Sequence, residues 1–134
     1  MTFNASDKKE IVFAMKLMME ADNVQHPTEK LMFDCIYKSL NISDEEGLVI
    51  MKHFKECQKD LATSLIKHLS IVSSWPLEKK KDLISILTVM ATIDKNIDKT
   101  ENQLLTRYRI TCGIDYTDYS LVEAMQDAKK YIIK

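Results

Sequence analysis

The chain has 134 residues, of which 46% are hydrophobic and 29% charged, with a formal net charge of −1. That length fits one domain with a sizeable core, and the charge balance excludes the broad basic footprint of a nucleic-acid binder. Two Gly and two Pro leave little turn material for a many-stranded fold, so an all-α class is expected.

Asp7 and Glu10 are spaced as a capping box for a first helix near 8–21. Its apolar residues, from Ile11 to Ala21, wrap nearly the whole circumference, which predicts a central, buried helix. An acidic turn follows: Asp22-Asn23-Val24-Gln25-His26-Pro27-Thr28-Glu29. With His26 as N-cap, Pro27 at the first helical position and Glu29 at the third, a second helix opens, about 27–40. It carries Leu31, Met32, Cys35, Ile36 and Leu40 at helical spacing. Asn41 can end it in the left-handed conformation, with Ile42 packing back.

Ser43 and Glu46 cap a third helix, near 44–57, expected to bury Leu48, Met51 and Phe54. A fourth piece, about 60–73, shows Leu61, Leu65, Ile66, Leu69 and Val72, and no Gly or Pro marks its start. Ser73-Ser74-Trp75-Pro76 is the clearest break, and Pro76 opens a fifth helix to about 93, apolar almost all round like the first. The acidic turn then recurs as Asp94-Lys95-Asn96-Ile97-Asp98-Lys99-Thr100-Glu101, with Asp98 as N-cap and Glu101 at the third position. A sixth helix, about 99–112, ends at Gly113, and Ile114 repeats the role of Ile42. A last helix, about 118–132, is expected to bury Leu121, Val122, Met125, Ala128 and Ile132, with Tyr116 and Tyr119 covering its junction.

At an offset of 72 residues (22 against 94) Met18 meets Met90, Asp22 meets Asp94, Thr28 meets Thr100, Glu29 meets Glu101 and Ile42 meets Ile114. The chain therefore reads as one domain over 1–134, with repeat one about 7–57 and repeat two about 76–133. About seven helices would form two pseudo-symmetric halves packed around two central apolar helices. An open solenoid would need about three or more units.

Asp22 and Asp94 each sit at the C-terminal end of a helix, where a carboxylate costs roughly 0.3–1 kcal/mol unless something offsets it. Each can accept from N–H groups of the turn, or hold a cation with neighbouring oxygens. Asp94, Asn96, Asp98 and Thr100 mimic alternating EF-hand ligands, but Lys99 stands where Gly is needed and Leu105 where Glu is needed, which excludes that loop. His26 is the one His beside the acidic turns and a candidate ligand, whereas His53, His68 and the run Glu78-Lys79-Lys80-Lys81 read as solvated. Cys35, Cys57 and Cys112 read as small buried hydrophobes of a reducing compartment. No Gly-rich phosphate loop, Gly-x-Ser-x-Gly or His-Glu-x-x-His occurs, so no enzyme is expected. No apolar run reaches the ~20 residues of a membrane span, and the N-terminus lacks a secretory pattern; a soluble cytoplasmic protein is expected.

The doubled pattern resembles the tellurite-resistance TerB family, whose related modules also stand at the front of a membrane-anchored DnaJ-type co-chaperone. The family pattern is an apolar helix, Ala-Asp-Gly, a Glu seven residues after the Asp, and a second helix ending in Leu-Gly-Leu-Ser or similar. Ala21-Asp22, Glu29 and Leu40-Asn41-Ile42-Ser43 match in the first copy; Asp94, Glu101 and Cys112-Gly113-Ile114-Asp115 match in the second. Asn23 and Lys95 replace the turn Gly. The resemblance implies an all-helical domain of two halves and a cytoplasmic stress-response or adaptor role. It also implies a divalent metal ion, Ca²⁺, Mg²⁺ or Zn²⁺, at Asp22, Glu29, Asp94, Asp98 and Glu101. A protein partner is expected, but neither nucleic acid nor membrane. With purely structural turns the chain would instead be a protein-interaction adaptor, showing an exposed apolar patch around Phe3, Trp75 or Tyr131-Ile132-Ile133.

Overall fold

A computed structural model describes residues 3–21, 27–92 and 99–132. Seven helices fill them: α1 (Ala5–Glu20), α2 (Pro27–Ser39), α3 (Asp44–Gln58), α4 (Leu61–Ser73), α5 (Leu77–Thr92), α6 (Lys99–Cys112) and α7 (Leu121–Ile132). The all-α class holds, with no strand among the described residues.

Local chemistry sets the ends of these helices. α1 starts earlier than predicted because Asn4 is its N-cap: the Asn4 side chain accepts from the Asp7 N–H at 2.8 Å, and the Asp7 carboxylate accepts from the Asn4 N–H at 3.1 Å. Asn caps as well as Asp, and the shift releases Glu10 into the interior. Ser43 and Glu46 form the predicted box at α3. The unmarked start of α4 is Asp60, which accepts from both the N–H and the hydroxyl of Thr63. Past the ends of α2 and α6, Asn41 (φ 55°) and Gly113 (φ 69°) are left-handed, and Ile42 and Ile114 pack back on the core as expected. A Cβ on Gly113 would meet no atom within 4 Å, so the backbone alone sets the cost of a side chain there. Gly113→Ala should lower stability by about 1–2 kcal/mol, seen as a lower urea midpoint at unchanged slope.

α1 and α5 are the two central rods and pack on each other. α5 is buried without a break from Asp82 to Ala91, and α1 from Glu10 to Met15. Burial on all sides is why their apolar residues run round the whole helix. α1 also packs on α2 and α3, and α5 on α6 and, most extensively, α7. Among the outer helices, α7 packs against α2, and α4, which lies between the two repeats, packs against α6.

Lys79, expected to be solvated, places Nζ 2.6 Å from Asp7 Oδ2. These two positions are 72 residues apart, so they are counterparts in the two halves. The ion pair ties α1 to α5.

α3 and α7 bury other faces than predicted. Leu48 and Met51 are 71% and 55% exposed, Phe54 is half-buried, and Gly47, Ile50 and Cys57 face inward. In α7 Ala128 is buried as expected, but Val122 and Met125 are exposed, Leu121 and Ile132 half-buried, and Ala124 and Tyr131 buried in their place. Close approach is the reason. A Cβ on Gly47 would lie 2.8 Å from Tyr37 Oη, and the two alanines let α7 lie close on α5, because helix spacing follows side-chain size at the contact. Tyr119 covers the α7 junction from a buried position, whereas Tyr116 is exposed. The apolar patch expected at Phe3, Trp75 and Tyr131 is closed, since all three are buried; Ile133 lies outside the described residues. Cys35 is exposed, against expectation, because it falls on the outer face of α2. No helix among the described residues is long and apolar enough to cross a membrane.

Candidate functional site

Of the predicted metal ligands, Asp22, Asp94 and Asp98 lie outside the described residues, as does His26. Glu29 and Glu101 are the third residues of α2 and α6, as expected, and each is only 2% exposed. That separates them from Glu46 and Glu123, which occupy the same position in α3 and α7. Those two box with Ser43 and Ser120 and stay in contact with water. Burying a carboxylate is costly unless donors or positive charge meet it, and the helix N-terminus supplies part of that. Glu29 also lines a cavity of about 330 Å³ together with Glu20, Asp34, Lys16, Lys30 and Phe33. The Lys16 ammonium lies 5.5 Å and 5.1 Å from the ring centres of Phe33 and Phe54, so carboxylates and ammonium groups share this cavity.

A second polar cluster lies where the sequence predicts solvated residues. His68 is 3% exposed, with Nδ1 2.8 Å from Glu10 Oε1 and Nε2 2.7 Å from the Tyr108 hydroxyl. Burial, reinforced by Cys112 and Glu10, holds the Tyr108 phenol well above its usual range. It therefore keeps its proton and donates to Nε2, and the carboxylate accepts from Nδ1–H. The imidazole packs 4.7 Å from the Phe13 ring, centre to centre. His68 and Val72 form the inward stripe of α4, and Ile66 is 70% exposed. The available signal was Glu10 itself, a carboxylate directly before the apolar run from Ile11 to Met15, since a buried carboxylate demands a partner. Its counterpart in the second half, Asp82, is also buried and meets Lys130 Nζ at 2.6 Å. Each central helix thus offers one carboxylate to a basic residue of an outer helix.

A family model described as tellurite resistance protein TerB matches residues 8–124. The chain belongs to the TerB family. That match runs from α1 into α7 and includes both acidic turns. The crystal structure of a protein of unknown function from Porphyromonas gingivalis W83 is similar, with a TM-score of 0.72, 22% identity, and coverage of 96% of this chain and 98% of that one. At that identity the likeness shows the fold alone. None of the curated proteins matches the chain.

Within this TerB-family fold the three cysteines differ in environment. Cys35 is exposed, Cys57 and Cys112 are buried, and burial pushes the Cys112 thiol up to about 11. Since the thiolate is the reactive form, iodoacetamide at pH 8 should alkylate Cys35 in the native protein and reach Cys112 only on unfolding. Peptide mass mapping reads the order. Cys57 Sγ lies 3.4 Å from His53 Nε2, a pairing that the sequence spacing of four allowed but that depends on which face of α3 turns inward. Among the described residues no three His, Cys, Asp or Glu side chains converge as they stand on a point that could hold a metal ion.

Proposed function

We propose that this chain is a non-enzymatic TerB-family helical module that holds a divalent cation at its acidic turns, through Glu29 with Asp22 and through Glu101 with Asp94 and Asp98. The observation that carries the reading is the burial of Glu29 and Glu101 at matching positions of the two halves, where a surface cap stays in water. Carboxylates at the mouths of two helix pairs are hard oxygen donors, which suits Ca²⁺ or Mg²⁺ better than Zn²⁺. The family description, tellurite resistance, supports a place in a cytoplasmic stress response.

Calorimetric titration of Ca²⁺, Mg²⁺ and Zn²⁺ into metal-free protein tests this. Binding should release or absorb heat and raise Tm, by about 2.7 kcal/mol of stability at a hundredfold excess over Kd. Asp94→Asn should weaken that response without disturbing the core. No heat and no Tm change with any of the three ions would overturn the reading.

The alternative, a protein-interaction adaptor with structural turns, is favoured by one observation. Leu48, Val49 and Met51 of α3 are 71%, 62% and 55% exposed, an apolar surface in place of the patch expected elsewhere. A partner lost on Leu48→Glu and indifferent to chelators would support that reading.

A further inference from the structure

We propose that the turn after α6 carries a binding site for a small organic acid, in which the Arg109 guanidinium takes the carboxylate and an apolar cavity takes the body. Arg109 is 3% exposed. Its Nη1 donates to two carbonyls, Tyr119 O at 2.7 Å and Asp115 O at 3.2 Å, and so ties the turn together. Its Nε and Nη2 are buried and meet no acceptor among the described residues. Arg is rarely buried unless paired, and an unpaired N–H in the interior is costly. Nε–H and Nη2–H point the same way along one edge of the planar group, the fork that takes a carboxylate by two parallel hydrogen bonds.

The tie to the turn accounts for Nη1 and not for that edge. At the 72-residue offset Arg109 meets Tyr37, which leads to the same left-handed helix exit, so the exit itself does not call for a cation. Arg109 lines a cavity of about 400 Å³, a size that suits a small ligand. Ile110, Ile114 and the Tyr116 ring give it an apolar lining, and Thr106 adds a hydroxyl. Gly113 keeps one wall free of any side chain. The Tyr116 ring lies over the guanidinium, its centre 4.0 Å from Cζ. Its π face balances charge on the flat side of the group but gives Nε–H and Nη2–H no acceptor in their plane. The ring is 42% exposed on the turn, so a change of rotamer uncovers the fork without disturbing the core.

Charge and lining together select the class of ligand. One carboxylate neutralises one guanidinium and leaves no excess charge in an apolar cavity. Inorganic phosphate brings more charge and no apolar body to replace the water it gives up. Asp115 also lines the cavity, and the Thr117 hydroxyl and the Asp118 N–H hold its carboxyl below the usual carboxylate range. It is therefore ionised, exposed and turned to those donors, and it repels a dianion more than a monoanion. Neither Glu29 nor Glu101 lines the cavity, which makes this site independent of the acidic turns.

The test is magnetic resonance of the full chain with isotope-labelled arginine. Arg107 and Arg109 are the two arginines of the chain, so two Nε–H signals are expected, and Arg107→Lys identifies which is which. The probe is N-acetyl-leucine, titrated beside its amide. The Arg109 signal should move downfield along a saturating curve with a midpoint of about 1 mM or tighter, while the Arg107 signal stays and the amide has no effect. Ile110 lines the cavity and is 75% exposed. Ile110→Glu should therefore leave the fold intact and weaken binding about fivefold or more by setting a like charge at the mouth. Arg109→Lys keeps the charge, removes the fork and should bind at least about tenfold more weakly. Asp94→Asn should leave the titration unchanged, so the site stands or falls apart from the acidic-turn reading. An Arg109 signal unmoved at about 50 mM N-acetyl-leucine overturns the proposal. So does a signal moved equally by the amide or by inorganic phosphate, or an affinity untouched by Ile110→Glu. A longer peptide ending in the same leucine that binds about tenfold tighter overturns the assignment to a small acid.

Discussion

Replacing His68 with Ala should destabilise the fold by about 3–5 kcal/mol, the cost of leaving a buried carboxylate without its donor. Glu10 is 2% exposed, its carboxylate accepts from His68 at 2.8 Å, and the Lys9 ammonium lies 3.8 Å away. Without the imidazole, the buried Glu10 carboxylate loses its 2.8 Å donor and the Tyr108 hydroxyl loses its acceptor. The loss also separates three helices, because His68 on α4 ties α1 through Glu10 to α6 through Tyr108. Chemical denaturation gives the free energy, and Tm should fall by roughly 10–20 °C. A second variant distinguishes the hydrogen bonds from mere volume. Glu10→Leu with His68→Leu removes both partners and should recover most of the loss, since swapping a buried pair for apolar groups is often neutral. The single variant within 1 kcal/mol of the parent, or a double variant worse than the single one, would show that the network does not hold α4 in place.

What could be read from the sequence was whatever depends on neighbours in the chain. Ser43 and Glu46 announce a helix start because the box is closed within four residues, and Gly113 announces a helix end because its backbone conformation is local. α1 and α5 were recognisable as central since an apolar circumference has only one comfortable location. The choice between two apolar stripes was not legible. α3 offers Leu48 and Met51 on one side and Gly47, Ile50 and Cys57 on another, and hydrophobicity favours the first. The partner helix decides otherwise, because Gly47 lets α3 approach Tyr37 and the larger residues then face outward. The candidate sites follow the same division. Glu29 and Glu46 look identical in sequence, each an acid at the third helical position, and only tertiary burial tells them apart. His53 and Cys57 were visibly four residues apart, but the cavity they face is made by α1 and α4. Asp22, Asp94 and Asp98 were picked from the repeat, and they lie outside the described residues.

The contrast between Leu83 and Leu48 turns that lesson into a measurement. Leu83→Ala should cost about 2–5 kcal/mol, since it removes a fully buried side chain from a rod that has packed neighbours on every side and little freedom to collapse. Leu48→Ala should change stability by no more than about 0.5 kcal/mol, because a side chain 71% exposed gives up almost no buried area and Ala is the better helix former. Leu83 stands on a helix apolar almost all round and Leu48 on the stripe of α3 expected to face inward, so sequence pattern alone buries both. Urea denaturation of the two variants side by side decides it. A loss at Leu48 approaching that at Leu83 would mean that α3 turns its large residues toward the core. In that case Gly47 and Cys57 would face solvent, and the cavity beside His53 would lose its α3 wall.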